Sequence, residues 1–283
     1  MANSEQKDIQ VGDLQWVYRE LLPDTPNQKP PVVMLHGLVS QSHSWRDVMP
    51  ALGEYGFRSI APDWIGHGSS SKPDKRQFDY TPETYLKAFG DYLDALELTR
   101  FSLVVQGFLG VTGLLYAAQN PDKIERLIIL NTPLPPKAEL PFAVKMMGWP
   151  FVGDMMTQDP LLVDRTLEGG GPYQVADEDL DIYRRPFLKS SDVGRSLMWT
   201  IRAMKLPSIT EQITQGFEGW SRPTLVAWGK SDPWLSADVA KVFAQGLESG
   251  EYVELDEVGH YAQEDWAEKV SEAIAPFLRK QEV

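Results

Sequence analysis

The chain has 283 residues, is 42% hydrophobic and 24% charged, and carries a formal net charge of −13; that length suits one large α/β domain with an insertion, or two small domains. The acidic balance argues against a nucleic-acid partner, because phosphate-backbone binding needs clustered Lys and Arg. With no cysteine in the chain, disulfides, thiolate catalysis and thiolate metal sites are excluded.

The opening residues, Met1 to Asp8, lack the basic and apolar regions of a secretory signal. No run approaches the ~18–20 apolar residues of a membrane-spanning helix. Both features predict a cytoplasmic protein, or one of the plastid stroma if a transit peptide has been removed. Residues 8–23 read as a hairpin. Ile9 and Val11 alternate with polar residues, Gly12-Asp13 suits a two-residue turn, and Leu14 to Arg19 returns. Pro31 to Gly37 is a continuous apolar run, the length of a strand buried on both faces. A helix is predicted from Ser42 to Tyr55 and a strand from Phe57 to Asp63.

The alternation then repeats. Thr81 caps a helix that begins Pro82-Glu83, with Leu86, Phe89, Tyr92, Leu93 and Leu96 as its buried stripe. Phe101 to Gln106 reads as a strand, 108–119 as a helix and Arg126 to Asn131 as a strand. Strands alternating with helices imply a parallel sheet covered on both faces. The rhythm stops after Asn131. Residues 134–219 hold no good strand run, and helical stretches alternate with breakers such as Gly169-Gly-Gly-Pro172. This segment reads as a helical cap inserted into a core made of 1–133 and 220–283. Strands resume at Pro223 to Gly229 and Glu251 to Asp256. Helices follow at Ala237 to Gln245 and Gln263 to Arg279, the last with Trp266, Val270, Ile274 and Phe277 inside.

Five motifs stand at the expected strand ends. They are His36-Gly37, Ala61-Pro-Asp-Trp-Ile-Gly-His-Gly-Ser-Ser-Ser-Lys-Pro73, Val104-Val-Gln106, Trp228-Gly-Lys-Ser-Asp232 and Gly259-His-Tyr-Ala-Gln-Glu-Asp265. In this order they resemble the α/β-hydrolase superfamily over nearly the whole chain, in particular its haloalkane dehalogenase and epoxide hydrolase branch. The resemblance implies a mostly parallel eight-stranded sheet flanked by helices. It also implies that Asp232 and His260 are the acid and base of a triad. A carboxylate on one imidazole nitrogen sets the tautomer and leaves the other nitrogen as a base.

The apex of the strand-to-helix turn, where the family carries its nucleophile, is Gly107, which has no side chain to attack with. That apex is strained for a residue with a Cβ, and glycine takes it at little cost. Leu109, two residues on, stands where a small residue is normal, so the turn departs twice and reads as a natural sequence. The oxyanion hole uses backbone amides and survives the change, with Leu38 and Phe108 as its candidates. Phe108 and Leu38 also replace the halide-holding Trp and Asn of many dehalogenases. Neither side chain offers a donor, which argues against haloalkane dehalogenation. Asn131, 24 residues past Gly107, occupies the alternative acid position, but an amide supplies no charge, leaving Asp232.

His36 and His67 read as structural and His43 as a surface or helix-start residue. No histidine pair has metal-ligand spacing, so neither metal nor cofactor is expected. The expected activity is His-Asp general-base chemistry on a small, largely apolar molecule, without a covalent intermediate. The alternative is a retired hydrolase that binds a small apolar ligand or a partner protein. Met146, Met147, Met155 and Met156 would suit either an adaptable pocket or simple packing of the cap. A weaker idea is peripheral membrane contact through Leu140 to Phe151, which lacks a basic face.

Overall fold

The computed structural model describes residues 4–136, 138–159 and 161–280. Eight strands form one sheet in the order β1-β2-β4-β3-β5-β6-β7-β8. In chain order they are β1 (Glu5–Val11), β2 (Leu14–Leu21), β3 (Val32–Leu35), β4 (Ser59–Pro62), β5 (Phe101–Gln106), β6 (Ile124–Leu130), β7 (Thr224–Gly229) and β8 (Gly250–Leu255). β2 pairs antiparallel with β1 and β4, and every other pairing is parallel. The β1–β2 hairpin turns at Gly12, whose φ of +57° suits a glycine. β3, β5 and β7 are buried at every residue, as their unbroken apolar runs require.

Alternate residues of these strands feed opposite faces. Val33, Leu35, Leu103 and Val105 enter one apolar cluster, while Val32, Met34 and Val104 enter the other. The second cluster is closed by α1 (Val48–Glu54) and by α12 (Ala267–Arg279) with Val270, Ile274 and Phe277. The first is closed by α2 (Pro82–Ala95), α3 (Gly110–Gln119) and α10 (Ala237–Gly246). The Thr81 hydroxyl accepts the Thr84 N–H at the start of α2. Phe89, Tyr92 and Leu93 are buried on α2 as expected, while Leu86 and Leu96 are half-buried and Tyr85 and Ala88 complete the stripe.

Two expected helices are interrupted. Residues 42–55 divide into a 3₁₀ turn, Ser42–Trp45, and α1. Pro50 explains the break, because a continuous helix would need an N–H from 50 to the carbonyl of 46 and would clash there. The last helix divides into α11 (Ala262–Asp265) and α12 at Trp266, whose φ of −158° is extended.

Among the described residues six helices stand between β6 and β7: α4 (Phe142–Met147), α5 (Val152–Met156), α6 (Leu161–Glu168), α7 (Asp177–Lys189), α8 (Ser191–Ala203) and α9 (Leu206–Gly216). The four methionines are unevenly buried. Met147 is buried, Met146 and Met156 are half-buried, and Met155 is exposed. Among the described residues no helix is long and apolar enough to cross a membrane.

Candidate active site

The site lies where β5, β7 and β8 end. Gly107 forms the bend between β5 and α3 with φ of +69°, the left-handed region that a residue with a Cβ enters at a cost. An ideal Cβ on Gly107 would lie 3.4 Å from His260 Nε2. The close approach of α3 to the sheet is carried by Gly110 and Gly113. A Cβ there would meet Thr132 Oγ1 at 2.7 Å and Val105 Cγ1 at 2.5 Å. Leu109, buried at the start of the helix, is therefore compatible with the packing although it is large.

His260 Nδ1 lies 2.9 Å from Asp232 Oδ2, and the two side chains are 0% and 1% exposed. A carboxylate accepts, so the shared proton belongs on Nδ1 and the Nε2 lone pair points toward the bend at Gly107. Asp232 is held by three other donors. Its Oδ1 accepts the N–H groups of Trp234 (2.8 Å) and Leu235 (3.1 Å), and its Oδ2 accepts Asn131 Nδ2 (2.9 Å). The histidine backbone is fixed too. Its N–H donates to the Gly170 carbonyl, and its carbonyl accepts Gln106 Nε2 at 2.7 Å. Gln106 Oε1 in turn accepts the Gly37 N–H, tying the two loops that meet at the site.

Aromatic rings enclose the imidazole. Phe108 stacks on it at 4.9 Å between centroids, Trp234 lies at 4.8 Å and Tyr261 meets it edge-on at 5.0 Å. The Tyr261 hydroxyl donates to the Leu38 carbonyl. Leu38 and Phe108 are 2% and 1% exposed, while Trp234 is half-buried. Burial pushes the neighbouring Asp265 carboxyl up to about 6, opposed by the Gly259 N–H that donates to it at 2.6 Å.

The other histidines serve the scaffold. His36 is fully buried between the Gly37 carbonyl on Nδ1 and the Trp64 N–H on Nε2, and burial holds its pKa down against the nearby Asp63. Burial lowers that of His67 further. His43 begins the 3₁₀ turn as expected but is not a surface residue. It is buried, its Nε2 lies 2.7 Å from Asp179 Oδ1, and desolvation lowers its pKa.

Asn131, Gln106, Trp234, Tyr261 and Asp265 were not legible as site residues. The sequence presents Asn131 as an uncharged stand-in for an acid, whereas its contribution is two hydrogen bonds to Gly229 and one to Asp232.

A family model described as alpha/beta hydrolase fold matches residues 30–266. The chain belongs to the α/β-hydrolase fold family. Within that family it is 30% identical over 268 residues to the haloalkane dehalogenase of Mesorhizobium japonicum, covering 88% of this chain and 84% of that protein. It is 28% identical over 278 residues to the cis-3-alkyl-4-alkyloxetan-2-one decarboxylase of Xanthomonas campestris, covering 92% and 91%. It superposes on the crystal structure of an ancestral haloalkane dehalogenase with a TM-score of 0.83 and 27% identity, covering 96% and 98%. These relatives put this α/β-hydrolase on the haloalkane dehalogenase-like branch.

Proposed function

We propose that this α/β-hydrolase lacks an elbow nucleophile and works by general-base chemistry, with His260 as base, Asp232 as its acid partner and Gly107 at the nucleophile position. The observation that carries this reading is the imidazole. It is braced on Nδ1 by a carboxylate, its buried Nε2 has no hydrogen-bond partner among the described residues, and it faces a backbone bend with no side chain. In this reading Nε2 takes a proton from a bound water, and the water oxygen attacks an acyl carbon. The amides of Leu38 and Phe108 stabilise the oxyanion, and the imidazolium returns the proton to the leaving oxygen. Such base catalysis contributes ~10²–10⁴-fold.

The segment 134–219 acts as a cap, and the rings of Phe108, Trp234 and Tyr261 favour a small, largely apolar substrate. The Xanthomonas relative is named for an alkyl-substituted oxetanone, a strained lactone, which supports testing lactones first. Haloalkane dehalogenation is not proposed, since Gly107, Phe108 and Leu38 supply neither an attacking group nor side-chain halide donors.

The second reading, a protein that holds an apolar ligand without turnover, is favoured by the burial of His260, Asp232, Leu38 and Phe108, which are 0–2% exposed. A panel of lactones, esters and epoxides separates the two. Turnover by the parent that is lost in His260→Ala supports the general base. Turnover that appears only in Gly107→Ser or Gly107→Asp supports the binder. Parent activity that survives His260→Ala overturns the proposed mechanism.

A further inference from the structure

A second cavity, of about 380 Å³, opens far along the chain from the triad residues, between the β1–β2 hairpin, the loop after β4 and α7. It collects Arg19 from β2, Lys72 from the loop, and Arg185 and Lys189 from α7, with His43 at its edge. Arg185 and Lys189 are four residues apart and so share a face of their helix. Among the described residues none of these four cations makes an ion pair with a carboxylate, whereas neighbouring Arg184 is held by Asp164 and Asp181. The carboxylate that lines the cavity, Asp63, is already engaged. Its Oδ1 accepts the Ser42 N–H and its Oδ2 the Ser69 N–H, each at 2.7 Å. Burial holds the Lys72 ammonium down at about 8 despite the pull of Asp63, so the cation lacks full counter-charge. The buried Nε of Arg19 has no partner among the described residues. The volume falls within the ~300–1,000 Å³ of small-molecule sites.

We propose that this cavity is a binding site for a phosphate-bearing ligand, held by Arg19, Lys72, Arg185 and Lys189. Two guanidinium forks and two ammonium groups suit a multiply charged oxyanion better than a single carboxylate. The site is separate from the His260–Asp232 pair, so its test stands apart from the proposed catalysis.

The experiment is calorimetric titration of the full chain with inorganic phosphate, phenyl phosphate and benzoate, together with sedimentation on phosphatidylcholine vesicles with and without phosphatidic acid. Saturable binding of phosphate or phenyl phosphate, weakened about tenfold in Arg185→Gln and in Lys189→Gln and unchanged in the remote Lys87→Gln, supports the site. Both cavity variants are exposed helix positions and leave the fold intact. Selective pelleting with phosphatidic acid that those two variants abolish supports the same site with a lipid headgroup as the source. Benzoate bound as tightly as phenyl phosphate overturns the ligand class. Absence of phosphate-dependent binding in every arm, or binding indifferent to both substitutions, overturns the proposal.

Discussion

Gly37 and Gly107 meet backbone to backbone: a Cβ on Gly107 would lie 2.8 Å from Gly37 Cα, and one on Gly37 would lie 3.0 Å from Gly107 Cα. Each glycine therefore depends on the other, and the bend has closed over the space an elbow side chain would use. With φ of +69° added, Gly107→Ala is expected to cost about 1–3 kcal/mol. Urea denaturation checks this. A variant as stable as the parent would show that the two loops part easily.

Asn131 holds Asp232 in place. Its Nδ2 donates to Asp232 and its Oδ1 accepts the Gly229 N–H, both at 2.9 Å. Asn131→Asp would put a second carboxylate against Asp232, and like charges at that distance raise the pKa of one member. A raised carboxyl pKa stabilises the fold below its unfolded value and loses that stabilisation as pH rises. The variant is therefore expected to be about 2–3 kcal/mol less stable than the parent at pH 8, with the gap narrowing as pH falls. Melting temperatures of the two proteins across pH 5–8 test the sign, and a gap that widens toward low pH would be contrary to it.

Asp265 carries a pH dependence of its own. Its carboxyl is raised from 3.8 to about 6, chiefly by burial. The raised value favours the folded state below about pH 4, and this contribution is lost as pH rises through 6. Relative to Asp265→Asn, which keeps an acceptor for the Gly259 N–H, the parent should lose on the order of 2 kcal/mol between pH 4.5 and 7. Denaturant midpoints of both proteins at the two pH values measure the difference. Parallel behaviour would mean that Asp265 is ionised in the fold without penalty.

Arg46 joins the helices inserted between β6 and β7 to the site. One guanidinium nitrogen, Nη2, reaches Glu264 and Asp179 at 2.7 Å each, and Tyr183 donates to Glu264 at 2.5 Å. The Glu264 side chain is 3% exposed, so Arg46→Met would strand a buried charge beside Asp265. The expected loss is about 3–5 kcal/mol. The double variant Arg46→Met with Glu264→Gln should recover part of it, and a double variant no more stable than the single one would argue against the pairing.

The sheet was legible in the sequence because strands buried on both faces must be continuous apolar runs, as in Pro31 to Gly37 and Phe101 to Gln106, and because the residues between them follow a helical period. Asp232 and His260 were legible as candidates through the motifs Trp228-Gly-Lys-Ser-Asp232 and Gly259-His-Tyr-Ala-Gln-Glu-Asp265, whose resemblance to the α/β-hydrolase superfamily implies an acid and a base in the loops after β7 and β8. The supports around them were not legible. Asn131 and Gln106 act through amides whose partners lie 69 to 154 residues away, and no local pattern encodes such pairings. The four cations of the second cavity come from a strand, a loop and an inserted helix. Sequence determined which residues could carry charge or bend the chain. Tertiary packing decided which met, because desolvation and hydrogen-bond geometry depend on neighbours that are remote along the chain.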